Sequence, residues 1–155
     1  MSVAEKLVEL LKAQGLTCAT AESCTGGGVG SAITAVPGSS AVFAGGVISY
    51  ANEVKRDVLG VSDHTLQTVG AVSPETAAQM AEGARKLLKV DLAVSLTGIA
   101  GPDGGSEEKP VGLVWFGLAT KDGVRTEKAI FRGDRAQVRA QAVTHALGML
   151  TIAAT

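Results

Sequence analysis

Hydrophobic positions change period several times along this chain. Val3, Leu7, Leu10 and Leu11 recur at helical spacing, and Gly15 stands where that helix would end. Leu16 to Glu22 then reads as a strand, and residues 29–36 as a helix stopped by Pro37-Gly38. Ala41 to Tyr50 is apolar with β-branched members, the mark of a second strand. Asn52 is placed to cap a short helix through Leu59, and Ser62 another through Thr68. In Ser73-Pro74-Glu75-Thr76, Ser73 fits the N-cap and Pro74 the first helical position. That helix should run to about Lys89 and bury Ala77, Met80, Ala84, Leu87 and Leu88. Asp91 to Thr97 is short and apolar, as a strand covered on both faces would be. A polar loop, Gly98 to Pro110, precedes strands at Val111–Thr120 and Val124–Phe131, which Lys121-Asp122-Gly123 joins as a hairpin. Asp134 caps a last helix through about Ile152. Early alternation of helix and strand, closed by a hairpin, predicts an α/β chain: a three-layer α/β/α sandwich on a mixed sheet.

Composition narrows the function classes. A chain of 155 residues with 46% hydrophobic and 19% charged positions suits one globular domain, spanning 1–155. A net charge of −1 and 3% aromatic content argue against broad attraction to nucleic acid or acidic membranes and against base-stacking platforms. No apolar run approaches the roughly 18 residues of a membrane helix, and the start of the chain lacks a signal-peptide pattern. Two cysteines, Cys18 and Cys24, are too few for a disulfide framework, so a reduced, cytoplasmic setting is expected.

Candidate chemistry gathers in turns that follow strands. Ala21-Glu22-Ser23-Cys24-Thr25-Gly26-Gly27-Gly28 turns from strand to helix, where a serine nucleophile, backbone donors and a helix N-terminus can share one spot. Ser23 or Thr25 fits a plain helix cap equally well. Cys24 beside the helix start carries some thiolate tendency, or is a small buried residue. Ile48-Ser49-Tyr50-Ala51-Asn52-Glu53-Val54-Lys55 also leaves a strand. Lys55, in the first turn of its helix, becomes a general base if partly desolvated; otherwise it is a solvated surface lysine. Tyr50 belongs to the core or bonds across the site through its hydroxyl. The run Thr97-Gly98-Ile99-Ala100-Gly101-Pro102-Asp103-Gly104-Gly105 lets backbone approach a ligand closely, or is an ordinary surface loop. Arg132, Arg135 and Arg139 surround the last helix start, where they can hold a phosphate or carboxylate, or form a solvated face. His64 and His145 belong to no ligand-spaced cluster, and no metal is expected.

Together, the Ser23, Tyr50–Lys55 and Thr97–Gly105 motifs resemble the C-terminal domain of the competence-damage-inducible CinA family, whose stand-alone members are nicotinamide-nucleotide amidases. The similarity runs from the first helix to the last, and the larger N-terminal domain of two-domain members has no counterpart in these residues. The resemblance implies an anticodon-binding-like fold with a mixed, mainly parallel five-stranded sheet. It implies deamidation of nicotinamide mononucleotide, without a cofactor, in pyridine nucleotide recycling. It assigns catalysis to Ser23, Lys55 and Tyr50. Substrate contacts then fall to Cys24, Thr25, Gly26, Gly27, Thr97, Gly98, Ala100, Gly101, Arg132, Arg135 and Arg139. Phosphate goes either to the arginines and Gly98–Gly105 or to the glycine turn at Gly26–Gly28. A homodimer is expected by the same analogy. The contrasting expectation is a module that binds a nucleotide without turning it over.

Overall fold

The computed structural model describes residues 1–155. Helix α1 (Val3–Gln14) opens on a capping box between Ser2 and Glu5 and closes on Gly15, whose φ of 67° is left-handed. Strand β1 (Cys18–Glu22) leads into α2 (Gly28–Thr34), and β2 (Phe43–Ile48) into α3 (Asn52–Asp57) and α4 (Asp63–Thr68). Helix α5 (Pro74–Leu88) starts on the Ser73 cap. Strands β3 (Leu92–Gly98), β4 (Leu113–Thr120) and β5 (Gly123–Ile130) complete the sheet before α6 (Arg135–Ala154). Asp134 and Gln137 cap α6 reciprocally.

The sheet order is β2-β1-β3-β4-β5. β1 pairs in parallel with β2 and β3, and β4 runs antiparallel to both its neighbours, so four of the five strands point the same way. β1 lies in the interior and is buried along its whole length. Its side chains alternate between two cores. Cys18 joins the larger one with Leu7, Leu11, Ile33, Phe116 and Leu150, beneath α1, α2 and α6. Ala19 and Ala21 join the smaller one with Met80 and Ala84 of α5. These are the three layers expected.

Local differences from the pattern have local causes. Ala51, not Asn52, is the N-cap of α3, and Asn52 is its first helical residue. β2 begins two residues late because Ser39–Ala41 forms a 3₁₀ turn. Leu87 is half exposed, since the stripe Ala77, Met80, Ala81 and Ala84 faces the sheet and continues to Leu88.

The consequence for function is positional. Glu22, Ile48 and Gly98 end parallel strands at one edge of the sheet, Ile130 ends β5 there, and α6 starts from it. Each motif follows one of these ends.

Candidate active site

Ser23 is the first residue beyond β1, with its N–H bonded to Leu96 O of β3 at 3.0 Å. Its side chain has turned to the α3 side, where the hydroxyl meets Lys55. Lys55 is 1% exposed, so the solvated-lysine alternative does not hold. Its Nζ lies 3.1 Å from Ser23 Oγ, 2.7 Å from Ser49 O and 3.1 Å from Tyr50 O. None of the chain's ion pairs includes it. Burial without a counter-ion holds the amine's pKa below its ordinary value. A neutral amine has two N–H bonds and one lone pair. With the amine neutral, the carbonyls of Ser49 and Tyr50 would take the two hydrogens and leave the lone pair for the Ser23 hydroxyl proton. That is the geometry of a general base beside a nucleophile.

The turn after Ser23 is held from below. Glu22, 1% exposed, accepts from the Thr25 hydroxyl at 2.6 Å and from the N–H groups of Val29 and Gly30 at 2.8 and 3.0 Å. The first free donors of α2 therefore serve the chain's own carboxylate. The N–H groups of Val29 and Gly30 are thus already taken and are not free for a phosphate placed on Gly26–Gly28. Gly26 and Gly27 sit at φ 60° and 103°, and a Cβ on Gly27 would come within 3.1 Å of Ile48 Cδ1. The Gly26 N–H bonds Ser23 O, while the N–H groups of Cys24, Thr25 and Gly27 make no hydrogen bond within the chain. Thr25 thus supports Glu22 through its side chain and keeps a free backbone donor. Burial pushes the Cys24 thiol up to about 11 and Cys18 to about 12, which overturns the thiolate expectation for Cys24.

The remaining candidates surround this centre in different ways. Tyr50 is 63% exposed, outside the core, and its hydroxyl lies 3.4 Å from Arg135 Nη2. Arg135 Nη1 donates to Gly101 O at 2.8 Å, so one guanidinium joins the second and third motifs across the mouth. Thr97 is buried and its hydroxyl donates to Ala71 O, while Ala100 packs in the larger core. Gly98 ends β3 at the site edge. The 99–112 segment is tied down by Ile99 N–H to Leu113 O, Gly112 N–H to Ile99 O and Lys109 Nζ to Val69 O. Arg139 donates from Nε to Cys24 O and from Nη2 to Thr25 O, both at 3.1 Å. Arg132 is exposed, and its carbonyl accepts from Gln141. His145 bonds Glu127 at 2.7 Å and stacks on Phe116. A cavity of about 640 Å³ lies at the other end of the sheet between Leu16, Leu118, Val124 and Ile152, away from all of these groups.

A model of the CinA C-terminal domain matches residues 1–153. The chain belongs to that family. A nicotinamide-nucleotide amidohydrolase of Escherichia coli K12 is 52% identical over 151 residues, covering 97% of this chain and 92% of that protein. A competence-damage inducible protein of Halothermothrix orenii is 58% identical over 86% of the chain, and this chain spans about a third of that longer relative's length (33%). Among solved structures, a CinA-superfamily protein of Klebsiella pneumoniae superposes with a TM-score of 0.94 at 36% identity, covering 98% of this chain and 95% of that one. Another, from Agrobacterium tumefaciens, gives 0.91 at 44% identity, covering 99% and 96%. The open, mixed five-stranded sheet of this CinA domain is thus the fold of those structures.

Two contributors escaped the sequence. Glu22 ends an otherwise uncharged, buried strand, and a carboxylate in that position needs donors, a signal available in the pattern. The carbonyls of Ser49 and Tyr50 carry no residue-type signal at all.

Proposed function

We propose that this CinA-family domain is a cytoplasmic amidohydrolase that converts nicotinamide mononucleotide to nicotinic acid mononucleotide and ammonia. The observation that carries the reading is the amine of Lys55, buried without a counter-ion, 3.1 Å from Ser23 Oγ. The substrate is drawn from the E. coli relative, whose name states its action on a nicotinamide nucleotide and which this chain matches over 97% of its length.

Ser23 Oγ attacks the carboxamide carbon while Lys55 takes the hydroxyl proton. The tetrahedral oxyanion rests on the free N–H groups of Cys24 and Thr25, where one donor is typically worth about 2.7–4 kcal/mol. Lys55 returns the proton to the departing nitrogen, and ammonia leaves an acyl-Ser23 ester. Water then attacks the ester, Lys55 accepts its proton, and Ser23 is released protonated with the carboxylate product. The pyridinium of the substrate adds a positive charge near Lys55 and so favours the neutral amine. Arg135, Arg132 and Tyr50 hold the ribose phosphate at the mouth, with Gly98 and Gly101 letting the sugar approach the backbone.

The test is ammonia release from nicotinamide mononucleotide and from a panel of other small carboxamides. Release from the nucleotide by the parent, and none by folded Ser23→Ala, is expected. Turnover of another carboxamide alone overturns the substrate; turnover of none, with nucleotide binding retained, makes this a binding module.

A further inference from the structure

Arg139, which the sequence offers as a phosphate ligand, is committed instead to the backbone that forms the oxyanion site. We propose that Arg139 is a positioning residue, a bidentate clamp that sets the direction of the Cys24 and Thr25 N–H groups. The proposal deepens the acyl-transfer reading above and rests on it.

Peptide planarity ties each carbonyl of the turn to the next N–H. The sole cis peptide in the chain is Gly101–Pro102, so every peptide from Ser23 to Gly28 is trans. In a trans peptide the carbonyl and the next N–H point to opposite edges of one plane, so fixing the oxygen fixes the donor. Ser23 O is held by the Gly26 N–H at 3.1 Å, which directs the Cys24 N–H. Cys24 O is held by Arg139 Nε at 3.1 Å, which directs the Thr25 N–H. Thr25 O is held by Arg139 Nη2 and by the Gly28 N–H, both at 3.1 Å, which directs the Gly26 N–H back onto Ser23 O. Three successive planes are thereby locked through their oxygens, two of them by one guanidinium. Of the donors in these three planes, the two left free, on Cys24 and Thr25, belong to the residues after the nucleophile. Glycines at 26 and 27 permit this path, but their φ values alone do not hold it against rotation of the adjoining peptides. A planar fork with fixed spacing between Nε and Nη2 can bridge two successive carbonyls; an ammonium cannot do so with the same geometry. Arg139 reaches the turn from α6, 114 residues along the chain from Thr25. The Asp134–Gln137 capping box fixes the start of that helix one turn earlier.

The test uses the whole chain with Arg139→Lys and Arg139→Ala, assayed on nicotinamide mononucleotide and on nicotinamide riboside, which lacks the phosphate. Both variants should lower kcat by about ten- to a hundredfold, somewhat less than the 10²–10³ that follows outright removal of an oxyanion donor. The loss should be the same on both substrates, with KM within about threefold and the pH profile unmoved, and methylguanidinium should partly restore Arg139→Ala. A rise in KM confined to the phosphorylated substrate makes Arg139 a phosphate ligand and overturns the clamp. Full activity of Arg139→Lys overturns it too, since charge alone would then suffice. Amide hydrogen exchange reads the clamp without any turnover: the Gly26 and Gly28 N–H groups should exchange at least tenfold faster in Arg139→Lys. Unchanged exchange sinks the inference even where the amidase reading stands. A parent that releases no ammonia while exchange accelerates in the variant sinks only the amidase reading.

Discussion

A lysine amine keeps its proton in water because water solvates the charge; Lys55 has lost that water and gained no carboxylate. Its partners are a hydroxyl and two carbonyls, a set that a neutral amine satisfies completely. Removing a general base typically costs 10²–10⁴ in rate, so Lys55→Met should lower kcat for ammonia release by about a thousandfold. Retention of near-parental kcat would separate Lys55 from the chemistry. The adjacent thiol behaves differently. With its pKa near 11, Cys24 should react far more slowly with iodoacetamide in the folded chain than after unfolding, and Cys24→Ala should keep its amidase activity within about threefold. Rapid labelling of the native protein, or a dead Cys24→Ala variant, would return Cys24 to the list of nucleophiles. At this scale the sequence was partly legible. Ser23 and Lys55 were visible as polar residues just past apolar runs, but nothing in residue type announced that Lys55 would be enclosed, because its enclosure is made by backbone carbonyls.

Among the elements, the strand-to-helix turn between β1 and α2 links stability to function. α2 is only seven residues long, and no side chain of its N-cap, Gly27, bonds its first donors. Glu22 does this from the strand, satisfying two N–H groups and the Thr25 hydroxyl. Glu22→Ala leaves those donors buried and unpaired, and should destabilise the fold by roughly 3 kcal/mol in urea unfolding. A change below about 0.5 kcal/mol would mean that water or rearrangement replaces the carboxylate at little cost. Element boundaries followed from capping chemistry where a side chain did the capping, as at Ser62, Ser73 and Asp134. They slipped where backbone alone decided: Ala51 caps α3 without a side-chain bond, and Ala41, which apolar patterning assigned to β2, ends the Ser39–Ala41 turn instead. Leu87 was expected to be buried because it continues the α5 apolar count, yet the layer beneath that helix is reached through Ala84 and Leu88.

For the molecule as a whole, three parallel strands end at one edge and place residues 23, 50 and 98 side by side, although they are far apart in the chain. That convergence was legible from the order of elements, since ligands of open α/β sheets collect beyond the carboxyl ends of strands. The backbone contacts of Arg139 were not, because a guanidinium near a helix start serves a backbone carbonyl as readily as a phosphate. Folding and catalysis also meet in one proton. Lys55 is disfavoured as a cation in the fold, whereas the unfolded chain restores its ordinary value of 10.5. Between the depressed folded value and 10.5 the unfolded state binds more protons, so this group makes the fold more stable as pH rises through that window. The stability of the parent relative to Lys55→Met should therefore increase with pH there, and a difference that is flat or falls would give Lys55 an unperturbed or raised value. The most direct measurement is the titration of the Lys55 amine itself, by NMR of the lysine Cε signal assigned through its loss in Lys55→Met, set beside the pH dependence of kcat/KM for nicotinamide mononucleotide. The expected result is a midpoint below 10.5 that coincides with the limb along which activity rises. An amine that titrates in the ordinary lysine range, with activity already full while it is still charged, would contradict it.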